Sequence, residues 1–239
     1  MNNEVKQSER IQTSFISKSE HKALVWLAQR QPRWVTSDLL TFVGTLGAFL
    51  VGLGFVLTRF DIGWLWLSIV GLAVNWYGDS LDGTLARVRN CQRPIYGYYV
   101  DHSVDCINEA FMFIGAGLSP LVHIELTLVV FILYLFMTIN VSMNAHLKSE
   151  FRLTYAKLGP TEFRILIALC CLIIIIFPSL ATRRYLFAFF GHMSAFTSLD
   201  LLTLLLIVAL SLIYICTLIG DARKYAKIDP PKHRESTDS

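Results

Sequence analysis

The chain has 239 residues, 54% of them hydrophobic and 16% charged, with a mean hydropathy of +0.52 and a formal net charge of +3. That apolar share excludes an ordinary soluble domain, and the length suits one domain. The small net charge says less than its distribution along the chain, and no nucleic-acid partner is expected.

Residues 1–17 are polar and lack periodicity, so a flexible N-terminus is expected. Residues 18–35 read as an interfacial helix. Leu24, Leu27 and Ala28 share one face, widened by Ala23 and Trp26, while Lys18, Lys22 and Gln29 fall opposite and suit lipid headgroups. Pro32 breaks this helix, and Ser37-Asp38 can cap the next. The first 38 residues are too polar for a cleavable signal peptide.

Six apolar blocks follow, at roughly 39–58, 62–78, 100–122, 124–147, 163–180 and 199–220. Most approach the roughly 20 residues that cross a hydrocarbon core. The expected fold is an all-α integral membrane protein, with six transmembrane helices over 36–222 and the interfacial helix before them. In the first span Gly44, Ala48 and Gly52 form a small-residue stripe beside Gly47 and Gly54, which reads as close helix packing. In the fourth, Asn140 and Asn144 read as interhelical hydrogen-bonding residues more than as an acceptor pocket. Residues 223–239, with Pro230-Pro231, read as a disordered tail. The five cysteines (Cys91, Cys106, Cys170, Cys171, Cys216) lack zinc-type spacing and read as small apolar fillers.

Basic residues set the orientation. Of the 21 Lys and Arg, only Arg59, Arg183 and Arg184 fall in odd-numbered loops. The remaining 18 lie in the termini and the even-numbered loops, so both termini and the second loop are expected in the cytoplasm.

That second loop is flanked by four aspartates. Asp79 and Asp82 are spaced i,i+3, and Asp101 and Asp105 i,i+4, so each pair shares a helical face. Two such faces together make an oxygen-only cage suited to a hard divalent cation. Ionisable groups in membrane helices mark function by default.

The string D-x2-D-G-x2-A-R, nine residues, then G-x3-D-x3-D comprises Asp79, Asp82, Gly83, Ala86, Arg87, Gly97, Asp101 and Asp105. It resembles the signature of the CDP-alcohol phosphotransferases, membrane enzymes of phospholipid synthesis. The resemblance implies transfer of a substituted phosphate group from a CDP-alcohol donor to a hydroxyl acceptor, with release of CMP. It implies two Mg²⁺ or Mn²⁺ ions held by Asp79, Asp82, Asp101 and Asp105. Asp105 would be the general base, or else His102, because Asp-His-x-x-Asp-x-Ile-Asn is similar to the choline/ethanolamine branch. That branch, however, has an acid where Tyr98 stands. Gly83, Ala86 and Gly97 would let the nucleotide approach the backbone, or else serve packing. Arg87 would pair a phosphate, or else anchor the helix at the cytoplasmic surface. Thr41 resembles a family threonine of the nucleotide site. Arg152, Lys157 and Arg164 would hold an acceptor phosphate, or else serve only as cytoplasmic positive charge.

CDP-diacylglycerol is the favoured donor; the alternative is a polar CDP-alcohol with a lipid hydroxyl acceptor. A cation-coupled transporter is the non-enzyme rival, but it requires inverted repeats and broken helices that are not legible here. Membrane lipids are expected partners, and a homodimer is compatible with this reading. The expected location is a bacterial inner membrane, with the active site on the cytoplasmic side.

Overall fold

The structure is a computed structural model that describes residues 9–11, 17–148, 150–152, 160–189 and 192–231. Helices dominate: α1 (Ser17–Arg30), α2 (Ser37–Leu57), α3 (Leu65–Val88), α4 (Pro94–Gly117), α5 (Ile124–Lys148), α6 (Pro160–Ile176), the short α7 (Ser179–Thr182) and α8 (Ser198–Ile228). Three of them are long and apolar enough to cross a membrane by length and composition: α2, α5 up to Asn144, and α8. α6 has only 17 residues, and α3 and α4 carry the aspartates.

The fold is not purely helical. β1 (Glu9–Ile11), within the N-terminal stretch expected to be flexible, pairs in parallel with β2 (Glu150–Arg152). β3 (Arg184–Phe189) and β4 (His192–Thr197) pair in antiparallel register from Arg184↔Thr197 to Phe189↔His192. These two strands lie between α7 and α8.

α2 and α3 form the most extensive contact in the molecule. The expected stripe supplies it: a Cβ on Gly47 would lie 2.8 Å from the Asn75 Cα, and one on Gly71 2.7 Å from the Val51 amide nitrogen. The two backbones therefore touch directly. Gly52 instead faces α4, where a Cβ on Gly115 would lie 2.7 Å from the Gly52 carbonyl carbon. Asn75, almost fully buried, donates from Nδ2 to the Gly44 carbonyl at 3.0 Å.

The start of α2 differs from expectation. Thr36 is the cap, its Oγ1 accepting from the Leu39 amide at 3.2 Å. Ser37 and Asp38 reach outward instead: Ser37 Oγ donates to the Asp82 carbonyl at 2.9 Å, and both Asp38 oxygens accept from Arg93 at 2.6 Å. Those hydrogen bonds raise the pKa of the exposed Arg93 guanidinium.

α1 turns its apolar face to protein. Leu24 and Ala28 are buried in one cluster with Val35, Leu40, Leu81 and Leu85, so α3 covers the surface expected to meet lipid, while Trp26 stays exposed. Arg89 fastens the end of this helix by donating to the Gln31, Pro32 and Val35 carbonyls.

α3 runs ten residues past the apolar block and ends where Asn90 adopts φ 53°. The Cys91 amide donates to the Ala86 carbonyl at 3.0 Å and the Asn90 amide to the Arg87 carbonyl at 3.2 Å. This closing turn satisfies the last carbonyls of the helix. Pro94 then opens α4 at a position that needs no amide donor.

α8 continues to Ile228, past Arg223 where a disordered tail was expected; residues 232–239 lie outside the described residues. Asn144 supplies the reason. Its Nδ2 donates to Asp221 Oδ2 at 2.8 Å and its Oδ1 accepts from the Tyr225 hydroxyl at 2.7 Å, so α5 holds the end of α8. At the opposite end Asp200 is buried in a capping box with Thr197 and accepts from both the His123 amide and ring at 2.7 Å.

Candidate active site

Asp79 rides on α3 and Asp101 and Asp105 on α4, and the closing turn at Asn90 sends α4 back beside α3. Carboxylate oxygens of these three residues lie within 4.8 Å of one another, and all three side chains are partly buried. Both halves of the sequence motif thus meet at one point.

Asp82 stands beside this group and faces α2. Thr41 Oγ1 donates to its Oδ2 at 2.6 Å, and the Gly83 amide donates to its Oδ1 at 2.5 Å. Thr41, singled out only through a family likeness, therefore does touch a motif carboxylate.

Arg164 enters from α6. Its Nη2 donates to Asp79 Oδ2, and its Nε donates to Asn75 Oδ1 at 2.8 Å. The pair is largely shielded, with side-chain exposures of 16% and 23%. Asn75 escaped notice in the sequence because one buried asparagine in an apolar span carries no spacing signal. Of the other two basic residues proposed for an acceptor phosphate, Lys157 lies outside the described residues, and Arg152 is described only as part of β2.

His102 lies beside Asp101 at the edge of the three-carboxylate group. Its Nδ1 is 3.0 Å from the Tyr98 carbonyl and 3.9 Å from Asp101 Oδ2, and its ring stacks on Tyr98 with centroids 4.1 Å apart. Arg87 is exposed and donates to Thr84 Oγ1 at 3.1 Å, and Ala86 is half-buried one residue earlier.

The motif glycines differ from those of the helix interface. A Cβ on Gly83 would meet only the Arg87 guanidinium, at 3.5 Å, and one on Gly97 would have no described atom within 4 Å. Packing among the described residues gives neither position a reason to be glycine.

The donor set fits a divalent cation. Three carboxylates converge, with the Arg164 guanidinium on one of them, and oxygen-only coordination suits a hard ion. Like charges held this close and partly desolvated are relieved by a bound cation, by the guanidinium or by taking up a proton.

The sequence is 36% identical to the phosphatidylinositol phosphate synthase of Cutibacterium acnes over 84 residues, which are 35% of this chain and 38% of that protein. It is 31% identical to cholinephosphotransferase 1 of Danio rerio over 96 residues, 38% of this chain and 25% of that protein. The chain thus spans well under half the length of these curated relatives in the matched regions. A model of the CDP-alcohol phosphatidyltransferase family matches residues 34–215. This match takes in Thr41, all four aspartates and Arg164 and covers most of the protein, and the chain belongs to that family.

Proposed function

We propose that this protein is a multi-pass membrane enzyme of phospholipid synthesis that transfers a substituted phosphate group from a CDP-alcohol to a hydroxyl acceptor. The observation that carries this reading is the convergence of Asp79, Asp101 and Asp105 from the two halves of one motif. In the reaction the acceptor oxygen bonds to the donor phosphorus, the pyrophosphate bond breaks, and CMP leaves. Two Mg²⁺ or Mn²⁺ ions, held by these three carboxylates with Asp82 as the fourth, would neutralise the pyrophosphate oxygens and stabilise the leaving group. Asp105 takes the hydroxyl proton as general base. Gly83, Ala86 and Gly97 leave the backbone open to the nucleotide, which accords with the absence of described packing against either glycine. Arg87, exposed at the same end of α3, pairs a phosphate oxygen.

CDP-diacylglycerol is the favoured donor. Supporting this are the likeness to a bacterial phosphatidylinositol phosphate synthase and Tyr98, which stacks on His102 where the other branch has an acid. The likeness to a cholinephosphotransferase supports a second reading, a polar CDP-alcohol donor with a lipid acceptor. In that reading His102 donates from Nδ1 to the Tyr98 carbonyl, which makes Nε2 the basic nitrogen for the acceptor hydroxyl.

In this reading α2 to α6 and α8 are six transmembrane helices of a bacterial inner membrane, with both termini and the carboxylate end of α3 and α4 on the cytoplasmic side. The distribution of basic residues supports this orientation. The decisive experiment measures CMP release by the purified protein with CDP-diacylglycerol, CDP-choline and CDP-ethanolamine against several hydroxyl acceptors. Release with one donor class identifies the branch; no release with any donor overturns the reading.

A further inference from the structure

Glu20 lies near the start of α1, the helix whose sequence suggests only a membrane anchor. One of its carboxylate oxygens accepts two hydrogen bonds from two other helices. Trp76 Nε1 on α3 donates to Oε1 at 2.8 Å, and Thr161 Oγ1 on α6 donates to the same atom at 2.6 Å.

The positions of those two donors give the contact its meaning. Trp76 immediately follows Asn75, and Thr161 stands three residues before Arg164, in the first turn of α6. Asn75 and Arg164 are themselves hydrogen-bonded at 2.8 Å, and Arg164 also donates to Asp79. Glu20 therefore joins α3 and α6 one turn or less from the residues by which α6 reaches the carboxylate group.

An arginine side chain has several rotatable bonds, so holding its head on one carboxylate costs conformational entropy. Fixing the backbone beneath it reduces the freedom left to be lost. The first turn of α6 also lacks internal partners for its amides, which makes it the part of the helix most prone to open. A carboxylate from α1 that binds a hydroxyl in that turn opposes the opening.

We propose that Glu20 is a positioning residue of the active site. By bridging Trp76 and Thr161 it fixes the first turn of α6 against α3 and so keeps the Arg164 guanidinium on Asp79. The significance of this placement rests on the proposed reaction, but the bridge can be tested without turnover.

The measurement is the rate at which phenylglyoxal, an arginine-selective dicarbonyl, modifies Arg164 in the full-length protein, followed by mass spectrometry of its peptide. Arg59 and Arg223, both exposed and remote from Glu20 in the sequence, serve as internal references. Glu20→Ala is expected to raise the Arg164 rate by on the order of ten-fold, through easier local opening, with the references unchanged. Glu20→Gln keeps an oxygen able to accept both hydrogen bonds and is expected to restore the slow rate. Thr161→Val is expected to raise the rate, and combining it with Glu20→Ala is expected to add nothing further, because both remove one bridge. An unchanged Arg164 rate in Glu20→Ala overturns the proposal. So does a parallel rise at the references, which marks global loosening, or a Glu20→Gln rate as fast as that of Glu20→Ala. A protein with the expected arginine pattern but no CMP release would sink the proposed reaction and leave the bridge standing.

Discussion

Exchanging single carboxylates for amides separates their roles. Asp79→Asn, Asp82→Asn and Asp101→Asn are each expected to weaken cation and CDP-donor binding together, because each removes one charge from the cation site. Asp105→Asn is expected to lower turnover by about two orders of magnitude or more, the scale of general-base catalysis, while sparing donor binding more than the other three. Donor affinity measured beside turnover at saturating Mg²⁺ checks this. If Asp105→Asn keeps near-wild-type turnover and His102→Ala abolishes it without loss of donor binding, the choline/ethanolamine-like reading replaces the favoured one. Activity is also expected to vanish on chelation with EDTA and return with Mg²⁺ or Mn²⁺; full turnover in metal-free buffer contradicts the cation site. At this scale the sequence was most informative where residues were regularly spaced. The i,i+4 interval of Asp101 and Asp105 placed both on one helix face, where the structure brings Asp79 to them, while Asp82, the i,i+3 partner of Asp79, turns to Thr41. The Arg164–Asp79 pair, 85 residues apart, was not legible, since no local period links two helices that meet only in the folded protein.

Helices α2 and α3 meet through glycine, so their stability responds to added volume rather than lost contact. Gly47→Val is expected to destabilise the protein by about 1–3 kcal/mol or more, as overpacking against the Asn75 backbone forces the helices apart. Gly97→Ala places its methyl where no described atom lies within 4 Å and is expected to leave the melting temperature almost unchanged. If Gly97 serves nucleotide approach, the same variant raises the apparent KM for the donor. Thermal unfolding in detergent, with donor kinetics on the same samples, tests both glycines. The apolar blocks located these helices, but their ends depended on tertiary partners. α8 outruns its apolar block because Asn144 bonds Asp221 and Tyr225. α1 shows a different limit: a face built from Leu24 and Ala28 suits lipid and protein equally well, and only the folded arrangement gives it to Leu81 and Leu85.

Across the whole molecule, the orientation proposed from the distribution of charge is accessible to labelling. Cys91 is exposed in the turn between α3 and α4, beside the carboxylate end of both helices. With the other four cysteines replaced, it is expected to react with a membrane-impermeant thiol reagent from the cytoplasmic face only; labelling from outside intact cells overturns the topology. The backbone contact between α2 and α3 has a further consequence for the site. Glycine has no side-chain rotamers to freeze, so this interface becomes ordered with little loss of side-chain entropy. Its geometry is set by main-chain distance, which thermal motion of side chains barely blurs. Gly78 lies in that contact, where a Cβ would sit 2.5 Å from the Gly44 Cα, and Asp79 is the next residue. The α3 half of the carboxylate group is thus mounted directly on the backbone-to-backbone contact of α2 and α3. The glycine contact of the α4 half lies at the far end of that helix, at Gly115, so the two halves of the group are mounted differently on the fold.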